Sequence, residues 1–286
     1  MTKLPFKVDL SGKVAFVTGG GGVLCSEFAK ALAANGAKVA VCDLRVEAAQ
    51  KVVDEIKAEG GEAMAVGANV LDKESLENAR KIVLDAYGTV DILLNGAGGN
   101  NPKGTTSKDT LDPEDLENAA EGIKTFFDLD PAGIEFVCNL NFLGTLLPTQ
   151  VFARDMAKKG DAVILNISSM NAFRPLTRIP AYSGAKAAIS NFTQWLAVHF
   201  AKVGIRVNAM APGFFLTNQN HDLLINPDGS YTARSQKILA HTPMNRFGTT
   251  DDLIGTLLWL VDNNASGFVN GVVVPVDGGF AAYSGV

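Results

Sequence analysis

Residues 14–43 read VAFVTGGGGVLCSEFAKALAANGAKVAVCD, and this stretch decides the fold. An apolar, β-branched run (14–18) enters the glycines Gly19–Gly22, a segment with helical periodicity follows (23–35) and stops at Gly36, and a second apolar run ends in Asp43 (38–43). Strand, helix, strand at this spacing is a parallel βαβ unit, because parallel strands need a long crossover between them. Gly36 suits the left-handed position just past a helix. The glycine run falls at the strand-to-helix turn. A backbone without Cβ atoms can close on a pyrophosphate there, and the helix start offers unpaired N–H groups and a positive dipole end. Asp43 can accept hydrogen bonds from adenosine ribose hydroxyls and would repel a 2′-phosphate, which favours NAD over NADP. Arg45, two residues on, is the group that could take that phosphate instead.

The same rhythm continues outward. A helix (46–59) ends at Gly60-Gly61, then come a short strand (63–66), a helix (73–87) stopped at Gly88, and a strand (91–95). A polar stretch from 98 to about 129 then interrupts, longer than a usual βα connection, and reads as a lid-like insertion at about 99–129. Asp130-Pro131 has the form of an N-cap and first-turn proline, opening a helix to about 159. Strand 162–167, helix 180–203, strand 206–211, helix 250–262 with Thr250 as its N-cap, and strand 272–276 complete the chain. The alternation specifies an α/β, doubly wound parallel sheet with helices on both faces. No linker or repeat divides it, so a single domain over 1–286 is expected.

Composition narrows the function. Hydrophobic residues make up 47% and charged residues 19%, which is a globular chain rich in core. A net charge of −5 with no lysine or arginine cluster argues against a nucleic-acid footprint. Cys25, Cys42 and Cys138 are distant and form no C-x-x-C, and His199, His221 and His241 have no ligand spacing, so neither disulfides nor a metal are expected. The first residues lack a signal-peptide pattern and no run of 18 apolar residues occurs, which points to no membrane and a cytoplasmic location.

Chemistry concentrates in 168–186, SSMNAFRPLTRIPAYSGAK. Tyr182 and Lys186, four apart, stack on one helix face. An ammonium beside a phenol favours the phenolate and lowers its pKa from about 10, toward useful acid–base behaviour. Ser169 follows a strand and can hydrogen-bond a substrate oxygen. By itself Y-x-x-x-K is equally an ordinary helix carrying one tyrosine and one lysine. Arg174 and Arg178 lie between these groups, and arginine suits bidentate capture of a carboxylate. With Asn100, Asn101 and Asn171 they suggest a small-molecule sugar acid as substrate. Alternatively, the arginines pair with Asp112, Glu114, Asp115 and Glu117 and hold the insertion in place.

Taken together, the chain resembles the short-chain dehydrogenase/reductase family from about 12 to 279. The matches are T-G-G-G-G (18–22), Asp43, Asn69-Val70, N-G-A-G (95–98), Asn141, Ser169, Tyr182 with Lys186, N-A-M-A-P-G (208–213) and V-D-G-G (276–279). The resemblance implies a Rossmann-type fold with a seven-stranded parallel sheet, and a hydride exchanged between NAD(H) and a carbon bearing an alcohol or ketone. It implies Tyr182 as general acid–base, Lys186 lowering its pKa, Ser169 holding the carbonyl oxygen and Asn141 supporting a water relay. Cofactor contacts would come from Thr18, Gly19, Gly21, Gly22, Val23, Leu24, Asp43, Leu44, Asn69, Val70, Asn95, Gly96 and Ala97, from Tyr182 and Lys186, and from Pro212, Gly213, Phe215 and Thr217. Val23 and Cys25 stand where the family's T-G-x-x-x-G-x-G loop has glycines.

The strings G-G-G-G-V-L-C and S-S-M-N-A-F-R-P-L-T-R-I-P-A-Y, with the insertion, resemble the mannonate oxidoreductase (fructuronate reductase) branch. That implies interconversion of D-mannonate and D-fructuronate. Another sugar-acid or acyl ketoreductase, such as a gluconate dehydrogenase, and a non-catalytic NAD(H) sensor are the alternatives. Relatives associate through the helices corresponding to 131–159 and 180–203, so a homodimer or homotetramer is implied.

Overall fold

The computed structural model describes residues 8–118, 122–217 and 220–285. Seven strands form one parallel sheet in the order β3-β2-β1-β4-β5-β6-β7. They are β1 (Val14–Thr18), β2 (Lys38–Asp43), β3 (Glu62–Gly67), β4 (Ile92–Asn95), β5 (Ala162–Ile167), β6 (Ile205–Pro212) and β7 (Val273–Val276). The helices are α1 (Val23–Ala34), α2 (Val46–Ala58), α3 (Lys73–Tyr87), α4 (Glu114–Asn118), α5 (Pro131–Cys138), α6 (Gly144–Lys159), α7 (Pro180–Phe200), α8 (His221–Leu224), α9 (Ala233–Ala240), α10 (Asp251–Val261) and α11 (Asn263–Ser266).

Strand periodicity divides the core. Ala15 and Val17 of β1 face Phe28, Leu32, Val53 and Leu257, from α1, α2 and α10. Val14 and Phe16 face the other way, toward Leu76, Val83, Phe152 and Leu196, from α3, α6 and α7. Both faces are therefore buried, which is why β1 and β5 are apolar or buried at every position. The order reverses between β1 and β4. At such a switch point the loops on either side diverge and leave a crevice at the carboxyl ends of the strands.

Several sequence expectations shift. The helix expected over 131–159 is interrupted by a π-helical turn, Asn139–Leu143, between α5 and α6. One extra residue in the backbone does not disturb an apolar pattern that continues on either side. Within Pro131–Lys159 the most apolar 18-residue window has a mean hydropathy of 1.2, enough by length and composition to cross a membrane, but half of that window is buried inside the protein. Helix 180–203 ends at Phe200 and finishes as a 3-10 turn over Ala201–Val203. Thr250 does not cap α10, since its backbone is already helical and its side chain makes no cap bond. Asp252 accepts the Thr249 N–H at 2.9 Å instead. α8 and α9 have no counterpart in the sequence reading.

The insertion folds as short 3-10 turns around α4. It is held to the rest of the molecule by named bonds: Thr106 N–H donates to the Arg178 carbonyl at 2.9 Å, Arg178 Nε returns to Thr106 O at 3.0 Å, and Thr177 Oγ1 donates to Asp109 at 3.0 Å. Lys237 of α9 pairs with the other oxygen of Asp109. At the edges of the sheet, Lys38 pairs with Glu62 of β3 at 3.2 Å, and β7 contains Pro275.

Candidate active site

A cavity of about 540 Å³ opens at the carboxyl ends of the strands, along the crevice between β1 and β4. Gly19, Gly22, Val23 and Leu24 form its floor. Gly19 has φ +65°, and a Cβ there would stand 2.9 Å from the Ala97 Cα, so only glycine fits the turn. The start of α1 has Gly22 as N-cap, no side-chain cap and no acidic residue in its first turn. Its N–H groups at Val23, Leu24 and Cys25 precede the first helical bond, Ser26 N to Gly22 O at 2.9 Å. This helix end presents donors and a positive dipole to the cavity. At one end stands Asp43, whose oxygens accept the N–H groups of Gly21 at 3.1 Å and Arg45 at 3.0 Å, fixing the carboxylate.

Ser169, Tyr182 and Lys186 line the far end. β5 and the turn after it carry Ser169. The N-terminal part of α7 brings Tyr182 and Lys186 beside it, with Pro180 at the first helical position. Lys186 is 4% exposed, and its Nζ donates to the Ile167 carbonyl at 2.8 Å and lies 5.5 Å from the Tyr182 ring centroid. Burial pushes the Lys186 amine down to about 8. Burial also raises the Tyr182 phenol, while a hydrogen bond with Ser169 pulls it down. In this geometry Lys186 lies 5.5 Å from the Tyr182 ring centroid with its donor turned to the Ile167 carbonyl. The lysine is committed to a carbonyl and is itself reluctant to hold charge, so Ser169 is the group that favours the phenolate.

Asn141 is fully buried on the π-helical turn. Its Nδ2 donates to Gly99 O and Val137 O, both at 2.8 Å, and its Oδ1 accepts the Gly99 N–H at 3.3 Å. It thereby holds Gly98–Gly99, which line the cavity beside Lys186. Pro212, Gly213, Phe215 and Thr217 close the side after β6.

Comparison with known proteins agrees with this geometry. The short chain dehydrogenase family model matches residues 13–227. The chain belongs to the short chain dehydrogenase family. An uncharacterized oxidoreductase of Haemophilus influenzae is 60% identical over 278 residues, covering 97% of this chain and 96% of that protein. A 2-dehydro-3-deoxy-D-gluconate 5-dehydrogenase of Dickeya dadantii is 32% identical, covering 96% and 97%. Among solved structures, a Haemophilus influenzae protein provisionally named a D-mannonate oxidoreductase, with bound NAD, superposes with a TM-score of 0.93. It is 58% identical, over 99% of this chain and all of that one.

Not every expected residue of this short chain dehydrogenase reaches the cavity. Thr18 is buried, with its Oγ1 accepting the N–H groups of Gly96 at 3.0 Å and Ala97 at 3.2 Å, so it braces the loop after β4. Gly21 sits behind the floor against Ala48. Leu44 is 73% exposed, and Asn69 closes a turn through the Leu71 N–H at 3.0 Å. Val70 packs against Gly144. Asn95 is 1% exposed and donates to Thr149 and Asn166, so its side chain belongs to the core rather than to an adenosine contact.

The substrate candidates divide similarly. Asn101 caps a turn at Lys103 N–H, and Asn100 bonds Thr105. Asn171 is buried next to Ser169, whose Oγ accepts its N–H at 3.3 Å. Arg174 donates Nε to Ala281 O at 2.9 Å. Arg178 ties the insertion through a carbonyl rather than through its acids, and Asp112 and Asp115 pair with Lys108 instead. Phe214 and Asn220 line the cavity but were missed. Asn220 accepts Thr217 N–H and donates to Phe215 O, both at 2.8 Å, so it shapes the loop, and no motif marks it.

Proposed function

We propose that this short chain dehydrogenase interconverts a secondary alcohol and a ketone with NAD(H), on a sugar acid of the D-mannonate and D-fructuronate type. The observation that carries the reading is one cavity with an uncapped helix start and Asp43 at one end and Ser169, Tyr182 and Lys186 at the other. The donor set fits a dinucleotide. Val23, Leu24 and Cys25 N–H groups would receive the pyrophosphate, and the braced Asp43 carboxylate would accept the adenosine ribose hydroxyls and disfavour a 2′-phosphate.

The bound nicotinamide supplies or receives the hydride. Ser169 Oγ donates a hydrogen bond to the carbonyl oxygen, and Tyr182 delivers the proton to it during reduction and recovers it during oxidation. Lys186, with its amine near 8, exchanges protons with the tyrosine side of the site. Asn141 keeps the Gly98–Gly99 backbone against the lysine.

Arg174 and Arg178 are exposed and lie outside the cavity lining, and each uses Nε on a carbonyl oxygen. Among the described residues neither forms an ion pair, so their terminal nitrogens are the groups that would reach for a substrate carboxylate. The similarity to the NAD-bound Haemophilus protein supports the same substrate class. The test is an NADH-oxidation screen over keto-uronates, keto-gluconates, neutral ketoses and acyl ketones, repeated with NADPH. Preferred turnover of D-fructuronate with NADH is the expected result; equal rates on neutral ketoses, or a clear NADPH preference, would defeat it. Tight NADH binding with no turnover of any ketone would favour a sensor. Pairing of copies through the outer faces of α5 and α7, and a cytoplasmic location, complete the proposal.

A further inference from the structure

A line of polar side chains runs through the otherwise apolar layer between the sheet and α6 and α7. Thr145 Oγ1 donates to Asn141 O at 2.9 Å, and one turn on Thr149 Oγ1 donates to Thr145 O at 2.8 Å. Asn95 of β4 donates to Thr149 Oγ1 at 3.0 Å and to Asn166 Oδ1 of β5 at 2.9 Å. Asn166 Nδ2 donates to Thr193 Oγ1 at 2.9 Å, and Thr193 donates to Ile189 O at 2.8 Å, on α7. Asn95 and Asn166 are register partners across β4 and β5. All five side chains, Thr145 and Thr149 included, are 2% exposed or less. The line begins at the carbonyl of Asn141 and ends within one turn of Lys186, with Thr193 two turns on along the same helix face.

Such groups are costly in an apolar layer unless paired, and even here Asn95 Oδ1 has no partner. Apolar side chains of the same size would fill the layer without that cost. What they lack is direction. The Thr149 and Thr193 hydroxyls point their hydrogens at their own helices and accept from Asn95 and Asn166 of the sheet, so the two asparagines fix how far α6 and α7 stand from β4 and β5.

We propose that Thr149, Asn95, Asn166 and Thr193 form a positioning strut that sets the separation between the turn bearing Asn141 and the helix face bearing Lys186 and Tyr182. The inference rests on the reading of Tyr182 and Lys186 as the proton-handling pair. None of the strut residues touches the cavity. They act by holding Lys186 Nζ at its distance from Ile167 O and Asn141 at its distance from Gly99.

The test uses Thr149→Val and Thr193→Val, which keep shape and remove the hydroxyl, with Thr149→Ser and Thr193→Ser as rescues. The strut predicts a fall in kcat of about tenfold in each valine variant with substrate KM and NADH affinity within about twofold, and recovery in the serine variants. The double valine variant should fall no further than either single, since one break opens the line. A substrate-free readout is the phenolate absorbance of Tyr182, taken as the difference from Tyr182→Phe; its titration midpoint should move by about half a unit in Thr193→Val. Unchanged kcat, or a loss proportional to the folded fraction with an unmoved midpoint, overturns the strut. Turnover surviving in Tyr182→Phe would instead overturn the catalytic reading and leave the midpoint comparison standing.

Discussion

Lys186 is a lysine with almost no water around it, and its energetics follow. Its amine falls from the ordinary 10.5 to about 8 by burial. Below about pH 8 the folded chain carries a buried ammonium at a cost of ~3 kcal/mol relative to an exposed one. Between about 8 and 10.5 the unfolded chain binds a proton that the folded chain has released, so that cost is relieved as pH rises. Lys186→Met should therefore abolish turnover yet raise unfolding stability near neutral pH by about 1–2 kcal/mol, after the lost bond to Ile167 O. Denaturant melts should show the gain shrinking toward pH 10. Cys25 gives a second prediction. Its buried sulfur, with a thiol pushed up to about 12 by burial, occupies the space a Cβ on Gly96 would need. Gly96→Ala should cost roughly 1–3 kcal/mol. Cys25→Gly should recover much of it, a coupling that a double-mutant cycle measures.

At the scale of elements, α10 shows how a cap can sit one position from where spacing suggests. Asp252 accepts Thr249 N–H and holds Arg246 through two bonds, at 2.7 and 2.8 Å. Asp252→Ala should lower stability by about 1 kcal/mol while Thr250→Ala changes little, as paired thermal melts would record. The carboxylate is held well below its usual range by that arginine, so its contribution is present above about pH 4 and is lost on acidification.

Strands 14–18 and 162–167 were legible because burial on both faces makes them apolar at every position but Thr18 and Asn166. Tyr182 and Lys186 were legible because one helix carries both. The break at 139–143 was not, since a π-helical turn changes the backbone count and leaves the side-chain pattern intact. α8 and α9 were missed because their few apolar residues, Leu224, Ile238 and Leu239, pack only with neighbours such as Phe247. Asn220 was missed because the connection after β6, rather than any local spacing, brings it to the cavity, whereas Phe214 stands between two expected residues, Gly213 and Phe215.

For the whole molecule, the insertion, the loop before α7 and α9 meet at Asp109, so three segments distant in sequence are tied together at one carboxylate. The outer face of α7 carries large apolar side chains among polar ones. Val198 is 80% exposed, and Trp195, 56% exposed, stacks on His199 with ring centroids 4.6 Å apart. Phe136 of α5 is also exposed. Exposed apolar side chains of this kind are what the proposed pairing of copies would cover. Trp195→Glu should shift the protein toward monomer in light scattering, whereas the parent should scatter as a dimer or larger.

Pro275 has a consequence of its own. The carbonyls of Val272 and Val276 accept bonds from β6, from Ala209 and Gly213 N–H, so Pro275 occupies an alternate position whose nitrogen points away from the sheet. A nitrogen without hydrogen removes one donor that an incoming strand would need on that rim. At the opposite rim, the Lys38–Glu62 pair puts charge where a flat apolar neighbour would have to lie. In a crowded solution of this protein both rims therefore resist the strand-on-strand addition from which fibres grow.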